Sequence, residues 1–425
     1  MSLRGRQWVT VALLFLGYAA CYFCRADFAV ATPLLIDELV GQGTSHSAAI
    51  VRIGQIASMG TLAYALGKLL LTGLGDLWGG RRNFLLGLGG ATVFSVLFAL
   101  GGGFPLFTLA WLGNRLTQSV AWSGLVKVSS RWFDFSSHGT VIGVLSVSYL
   151  VGDALAREWM GSLLASGYGW RSLFYLGASV AGVVFVANVI WLRESRVQLG
   201  HPEALANPRN LYGQAEAPPK RLRALVMPLL RSPAFVMVCA LSLGCTVIRE
   251  TFNTWTPVYL RDYAHFSMAG SAKASAVFPA LGAVSVILTG WLSDRLGAQS
   301  RAGLLALGLL LAAAAMLGLM SLQSGMPGWL PVFAIGVTAF CLLGPYSYLG
   351  GAFALDFGGK QGAALSSGII DGTGYLGSVL AGDTVARVSV EFGWKGVFLL
   401  LAAVSVISAL GALWLFRRDS RAAAI

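Results

Sequence analysis

Two arginines stand where an arginine is expensive. Arg25 lies in CYFCRADFAV, directly after the uncharged stretch VALLFLGYAA, and Arg249 lies in CTVIRETFNTWTPVYL. A charged side chain in such a run costs roughly 3 kcal/mol on an isolated membrane helix. The two are 224 residues apart, and GWRSLF at 169–174 recurs as GWKGVF at 393–398 with the same offset. An intramembrane arginine that repeats at the period of an internal duplication points to a shared purpose. A guanidinium presents five donors in a flat fork, keeps its proton, and matches the oxygens of phosphate or carboxylate. Two of them facing each other would neutralise a divalent anion. The competing reading is local pairing, Arg25 with Asp27 and Arg249 with Glu250. Residues one or two apart point to different sides of a helix and are expected to pair poorly.

Other polar residues gather on the same faces. Tyr18 and Tyr22 precede Arg25 by seven and three residues and share its face, as cavity lining or as core filling. Tyr64 and Lys68 have i,i+4 spacing; Lys68 is either a third cation for a ligand or a lysine snorkelling to the surface. Asp153 is spaced to pair with Arg157 on its own helix, or to meet substrate hydroxyls or a proton. Asn253 falls four residues after Arg249, with Trp255 close by, and Tyr346 adjoins the helix-breaking Pro345 in CLLGPYSYLGG. Asp371 and Tyr375 are again i,i+4 in SSGIIDGTGYLGS; the aspartate either bonds sugar hydroxyls or neutralises Lys68 or an arginine.

The elements that must hold these residues are membrane helices. Mean hydropathy is +0.71 and only 11% of residues are charged, against about 25% in soluble domains. Apolar runs predict twelve spans, near 9–31, 52–71, 84–101, 105–128, 139–163, 171–192, 234–259, 272–290, 303–321, 329–353, 363–386 and 395–416. The fold class is therefore an all-α membrane protein with twelve transmembrane helices in two pseudo-symmetric six-helix bundles. Residues 1–192 make the first bundle, 193–233 a polar, Pro-rich linker, and 234–425 the second bundle. Arg4, Arg6, Arg81, Arg82, the linker (seven residues including Arg209, Lys220 and Arg221), Arg295, Arg301, Arg417, Arg418 and Arg421 all fall on one side. The positive-inside rule makes that side, with both termini, cytoplasmic; Arg52, Arg171, Arg261 and Arg387 are scattered on the other.

The net charge of +12 sits at span ends and does not argue for nucleic-acid binding. Cys21, Cys24, Cys239, Cys245 and Cys341 all lie in apolar runs and are expected to be packing residues. His46, His138, His201 and His265 have no metal-site spacing, and no cofactor motif or nucleophile–base set is present. No metal, no cofactor and no enzyme activity is expected, and the first run shows no signal-peptide cleavage motif.

GLGDLWGGRR at 73–82 and GWLSDRLGAQS at 290–300 occupy equivalent places in the halves. With twelve spans, these loops resemble those of the major facilitator superfamily. More narrowly, YFCRADFAVATPLL, SRWFDFSSHGTVIG, GYGWRSLF, RETFNTWTPVYL and GWLSDRLG resemble the organophosphate:phosphate antiporters. That resemblance implies phosphate-binding roles for Arg25 and Arg249, and Lys68 resembles a conserved lysine of the family. Tyr149 falls where the glycerol-phosphate branch has a binding histidine, which puts that branch's substrate mode in doubt here. Asp76 and Asp294, with Arg82 and Arg295 nearby, resemble gating latches. The implied function is exchange of an organic phosphate (a sugar phosphate or glycerol-3-phosphate) for inorganic phosphate, by alternating access across the inner membrane. Proton-coupled transport of an organic anion, and membrane sensing of sugar phosphate, are the alternatives. The partners expected are a small anion and membrane lipid, and a monomer suffices because the cavity is internal to one chain.

Overall fold

The computed structural model describes residues 2–208, 210–213, 222–262, 264–266, 274–323 and 326–423. Arg209, Lys220, Arg221, the start of the eighth span, and the side chains of Arg157, Arg261, Arg387 and Arg421 lie outside the described residues. The first half runs α1 (Leu3–Gly41), α2 (His46–Leu70), the short α3 (Leu74–Trp78) and α4 (Gly80–Leu100). Then come α5 (Phe104–Gln118) and α6 (Ala121–Trp132), which share one crossing, α7 (His138–Ala165) and α8 (Trp170–Trp191). A connecting segment holds α9 (Leu222–Arg231). The second half runs α10 (Pro233–Asp262), α11 (Val277–Leu296), α12 (Arg301–Ser321) and α13 (Trp329–Tyr346). It ends with a π-turn (Leu349–Phe353), α14 (Ala354–Gly358) and α15 (Ala363–Ala423). A break at Gly393, φ 67°, divides α15 into two crossings.

Among the described residues, 9 helical segments are long and apolar enough to cross a membrane by themselves. The other three crossings are α2, the α5–α6 pair and the first part of α15. Those three carry Lys68, Arg115 and Asp371, which lower their apolar signal, whereas the segments with Arg25 and Arg249 still qualify.

In each half the helices close on one another. α1 packs on α7 and α8, α4 on α5 and α8, α10 on α15, and α12 on α13 and α15. Lipid tails offer no hydrophobic contrast, so close packing must do the holding. Phe98 stacks on Phe174 at 4.3 Å and on Phe107 at 4.9 Å, with Trp170 edge-on at 6.0 Å. The halves meet where α7 crosses α11 and where α2 and α6 cross α15. At the first crossing Gly139 faces Gly290: a methyl on either would come within 2.7 Å of the other's carbonyl oxygen.

One face collects the start of α1 and the connection. Gln7 Nε2 donates to the Trp132 carbonyl at 3.2 Å, and Trp132 Nε1 donates to that of Arg193 at 2.9 Å. The linker is also bonded to both halves. Arg196 pairs with Asp134 at 3.0 Å, while Asn207 donates to Asp356 at 3.0 Å and Leu211 N to the Phe357 carbonyl at 3.0 Å.

Candidate functional site

The Arg25 region begins with a bend. α1 leaves helical geometry at Cys24 (φ −78°, ψ 15°), and the Cys24 carbonyl accepts Gln118 Nε2 at 3.2 Å. An amide inserted from α5 is the kind of intrusion that kinks a helix. Just past the bend, Arg25 Nε donates to Gln118 Oε1 at 2.9 Å and Nη1 to the Tyr22 hydroxyl at 3.1 Å. Its guanidinium lies 4.6 Å from the Tyr22 ring and 4.4 Å from the Tyr64 ring. Arg115 of α5 lies 4.5 Å from that same Tyr64 ring, and Lys68 Nζ lies 5.3 Å from it. Tyr64 is buried, so one phenol is surrounded by three cations.

Beside this cluster, between the halves, is a cavity of about 80 Å³. From the first half Tyr18, Tyr22, Tyr64, Lys68 and Tyr149 line it. From the second half come Arg249, Tyr346, Asp371 and Tyr375. Lys68 and Asp371 form an ion pair across the halves at 2.7 Å, and the rings of Tyr64 and Tyr375 meet at 4.9 Å. Lys68 is only 1% exposed, which excludes the snorkelling alternative. Gly350 makes room for this pair, since a methyl there would fall within 2.0 Å of Asp371 Oδ1.

The local pairings divide. Arg249 does bond its neighbour: Nη2 reaches Glu250 Oε1 at 2.5 Å, while the guanidinium lies 4.9 Å from the Tyr346 ring. Adjacent residues start on different helix sides, but these two side chains are long enough to converge, which corrects the expectation of poor pairing. Arg25 does not bond Asp27. Asp27 is wholly buried, accepting its neighbour's Phe28 N at 2.6 Å and the Ser95 hydroxyl at 3.1 Å. A chain of bonds still joins the two: Arg25 to Gln118, Gln118 Nε2 to Asn114 Oδ1 at 2.5 Å, Asn114 Nδ2 to Ser95 Oγ at 3.2 Å, and Ser95 to Asp27.

Four expected site residues do not line the cavity. Arg25 adjoins it through the Tyr22 and Tyr64 rings, which do line it and against which its guanidinium lies. Asp153 is half-buried away from the cavity, and its expected partner Arg157 has no described side chain. Asn253 is exposed, because four residues keep the direction but advance about 6 Å along the helix. Trp255 sits in a separate cluster with its ring 6.5 Å from that of Trp394; six residues turn it to another side of α10.

On the face that carries the linker, two aspartates perform equivalent tasks. Asp76 accepts Ala364 N at 3.2 Å and Leu365 N at 2.7 Å, where α15 begins in the other half. Asp294 accepts Gly139 N at 2.8 Å and Thr140 N at 2.6 Å, where α7 begins. Carboxylates are favoured at exposed helix N-termini, so each half clasps the other. The cations beside them differ from those expected. Asp76 pairs with Lys127 at 2.7 Å and Asp294 with Arg301 at 3.6 Å. Arg301 also bonds Asp356. Arg82 is exposed, and Arg295 is stacked 4.1 Å over Trp291. Loop adjacency suggested Arg82 and Arg295, but the partners come from neighbouring helices.

Arg115, Gln118 and Lys127 went unnoticed in the sequence. Arg115 is as intramembrane as Arg25, yet its place 224 residues on is Ala339, so a search for repeated arginines passes over it. Around the cavity and the Tyr64 cluster beside it, four cations (Arg25, Arg115, Lys68, Arg249) stand with two carboxylates, Asp371 on Lys68 and Glu250 on Arg249. An excess of two positive charges suits a dianion.

The pattern of the major facilitator superfamily matches residues 14–382. A probable hexose phosphate transport protein of Chlamydia trachomatis is 27% identical, over 93% of this chain and 88% of the relative. The membrane sensor protein UhpC of Escherichia coli is 26% identical, over 96% of this chain and 92% of the relative. In fold, a crystallised variant of the E. coli fucose:proton symporter FucP superposes with a TM-score of 0.76 at 12% identity. That match covers 96% of this chain and 99% of the symporter.

Proposed function

Because the chain belongs to the major facilitator superfamily and is a membrane transporter rather than an enzyme, we propose that it exchanges an organic phosphate for inorganic phosphate by alternating access. The observation that carries this is the uncompensated double positive charge beside the central cavity. Relatives named as hexose phosphate and glycerol-3-phosphate transporters support the same substrate class.

In this reading Arg25 and Arg249 hold phosphoryl oxygens from opposite sides, and Arg115 reinforces Arg25 through the shared Tyr64 ring. Phosphate entering the cavity competes with Asp371 for Lys68, so the ligand can replace a bond that joins the halves. The tyrosines donate hydroxyl hydrogen bonds and give a sugar ring surfaces to lie against. The bundles of residues 1–192 and 234–425 then rock about this site, with the 193–233 segment between them. The linker face is cytoplasmic, on the inner membrane, by its excess of Lys and Arg. An empty cavity with surplus positive charge resists closure, and a bound dianion removes that resistance. Return without an anion is then disfavoured, which gives exchange.

Counterflow tests it. Proteoliposomes loaded with phosphate should take up labelled phosphate and labelled hexose phosphate, while unloaded ones should not. Equal uptake without a counter-anion, driven by a proton gradient, would replace exchange with proton-coupled transport. UhpC, similar over nearly the whole chain, favours sensing as a second reading; tight binding with negligible counterflow is its signature.

A further inference from the structure

Away from the central cavity, the linker face holds a second cleft of about 470 Å³. Six cations line it: Arg81, Arg82, Lys127, Arg131, Arg193 and Lys360. Three carboxylates accompany them, Asp76, Glu194 and Glu203, and all three already have partners, some of them among these cations. Asp76 clasps α15 and Lys127 as described. Glu194 accepts Gly80 N at 2.9 Å and Arg81 N at 2.8 Å, closing the start of α4. Glu203 is shared between Arg131 at 3.6 Å and Lys360 at 3.4 Å.

Part of the positive charge is left over. Among the described residues, the side chains of Arg82 and Arg193 have no hydrogen-bond or ion-pair partner, and the buried Arg131 Nε has none. Guanidinium groups converging on a cleft of this size are complementary to a phosphate group with something attached to it. We propose that this cleft is a second binding site for a phosphate-bearing anion, one that bridges the halves and favours the state closed on the linker face.

The state dependence follows from what forms the walls. Arg82, Lys127 and Arg131 belong to the first half, Arg193 to the connection, and Lys360 to the second half. Lys127 Nζ also donates to the Gln361 carbonyl at 3.1 Å, tying the wall to the Asp76 clasp. Separation of the halves on this face removes Lys360 from the guanidinium groups. A ligand that binds only the joined arrangement shifts the population toward it by its differential affinity. The phosphate has two possible sources, a soluble phosphate or the headgroup of an anionic lipid. Trp78 lines the cleft and is 45% exposed, and Trp191 ends α8 at 60% exposed. Exposed tryptophans at helix ends mark headgroup depth, so both sources reach the cleft.

The test is hydrogen exchange of residues 358–366 in the full-length protein. One arm titrates inorganic phosphate in lipid-free neutral detergent. The other compares nanodiscs of phosphatidylglycerol with nanodiscs of phosphatidylcholine. At least one arm should slow exchange in this segment about threefold or more: the detergent arm identifies a soluble ligand, the nanodisc arm a lipid. Arg82→Ala/Arg193→Ala should abolish the protection, and Arg25→Ala/Arg249→Ala should retain it. Absence of protection in both arms overturns the proposal. So does protection that survives the first double substitution, or that disappears with the second, which would assign it to the central cavity.

Discussion

The two arginines that repeat at an offset of 224 residues do not have equivalent surroundings. Arg249 is bonded directly to a carboxylate, Glu250 at 2.5 Å. Arg25 is held on its Nε edge by the neutral Gln118 amide, with its nearest acidic neighbour in sequence, Asp27, three hydrogen bonds further along. Arg25 also shares the Tyr64 ring with Arg115, which has no counterpart in the second half. Duplication thus preserved the position of the charge and not its availability. An anion reaching Arg249 competes with Glu250, whereas an anion reaching Arg25 meets a guanidinium with no carboxylate on it. The first half therefore supplies most of the attraction, and the second half supplies a site already partly neutralised.

That asymmetry can be broken residue by residue. Arg25→Ala should weaken phosphate binding about 100-fold or more by titration calorimetry, a loss of the size seen when one partner of a desolvated charged pair is truncated. Arg249→Ala should cost less, about 10-fold, because Glu250 already neutralises part of its charge, and some of that cost comes from stranding Glu250 beside the anion. Arg249→Ala/Glu250→Ala should then recover part of that loss. If the two single variants lose equal affinity and the double variant recovers none, the halves are equivalent after all.

Gln118→Glu would place a carboxylate on Arg25 and make it resemble Arg249. Binding should weaken about 5-fold, while Gln118→Met, which removes the acceptor without adding charge, should weaken it less. The reverse change, Glu250→Gln, should tighten binding about 3-fold. A gain in affinity from Gln118→Glu would contradict the comparison.

Smallest is an effect far from the cavity. The hydrogen bond from Arg171, at 3.0 Å, holds the Glu38 carboxyl below the usual glutamate range. A depressed carboxyl stabilises above its unfolded pKa and loses that contribution as pH falls through the folded value. For a partly exposed pair the margin is about 0.5 kcal/mol. Thermal unfolding should place Glu38→Gln slightly below the parent near pH 7, and the difference should vanish in acid. A constant difference at all pH values would mean that the lost contact is packing rather than charge.

Much of this was legible in the chain because membrane helices announce themselves by apolar length. The helices run past the apolar runs, as α1 does from Leu3 to Gly41 around an expected 9–31, since hydropathy reports the lipid-facing part of a helix and not its ends. The interruption between α5 and α6 at Ser119 and Val120 leaves no mark in the composition. Arg25 and Arg249 were visible through the repeat, and Arg115 was hidden by the same filter. Lys68 and Asp371, 303 residues apart, could be named as possible partners only among several. Lys127 and Arg301 could not be found from spacing, because what makes them partners of Asp76 and Asp294 is the packing of neighbouring helices. Sequence spacing orders side chains on one helix; it does not say which helices meet.

The central claim is that the cavity carries two surplus positive charges and so selects a dianion. The direct measurement is the affinity of the purified protein for inorganic phosphate and for dimethyl phosphate, near pH 8, where the first is mostly doubly charged and the second singly. Phosphate should bind about 10-fold or more tightly, with the preference lost in Arg25→Ala. Equal affinities, or a preference for the monoanion, would contradict the account.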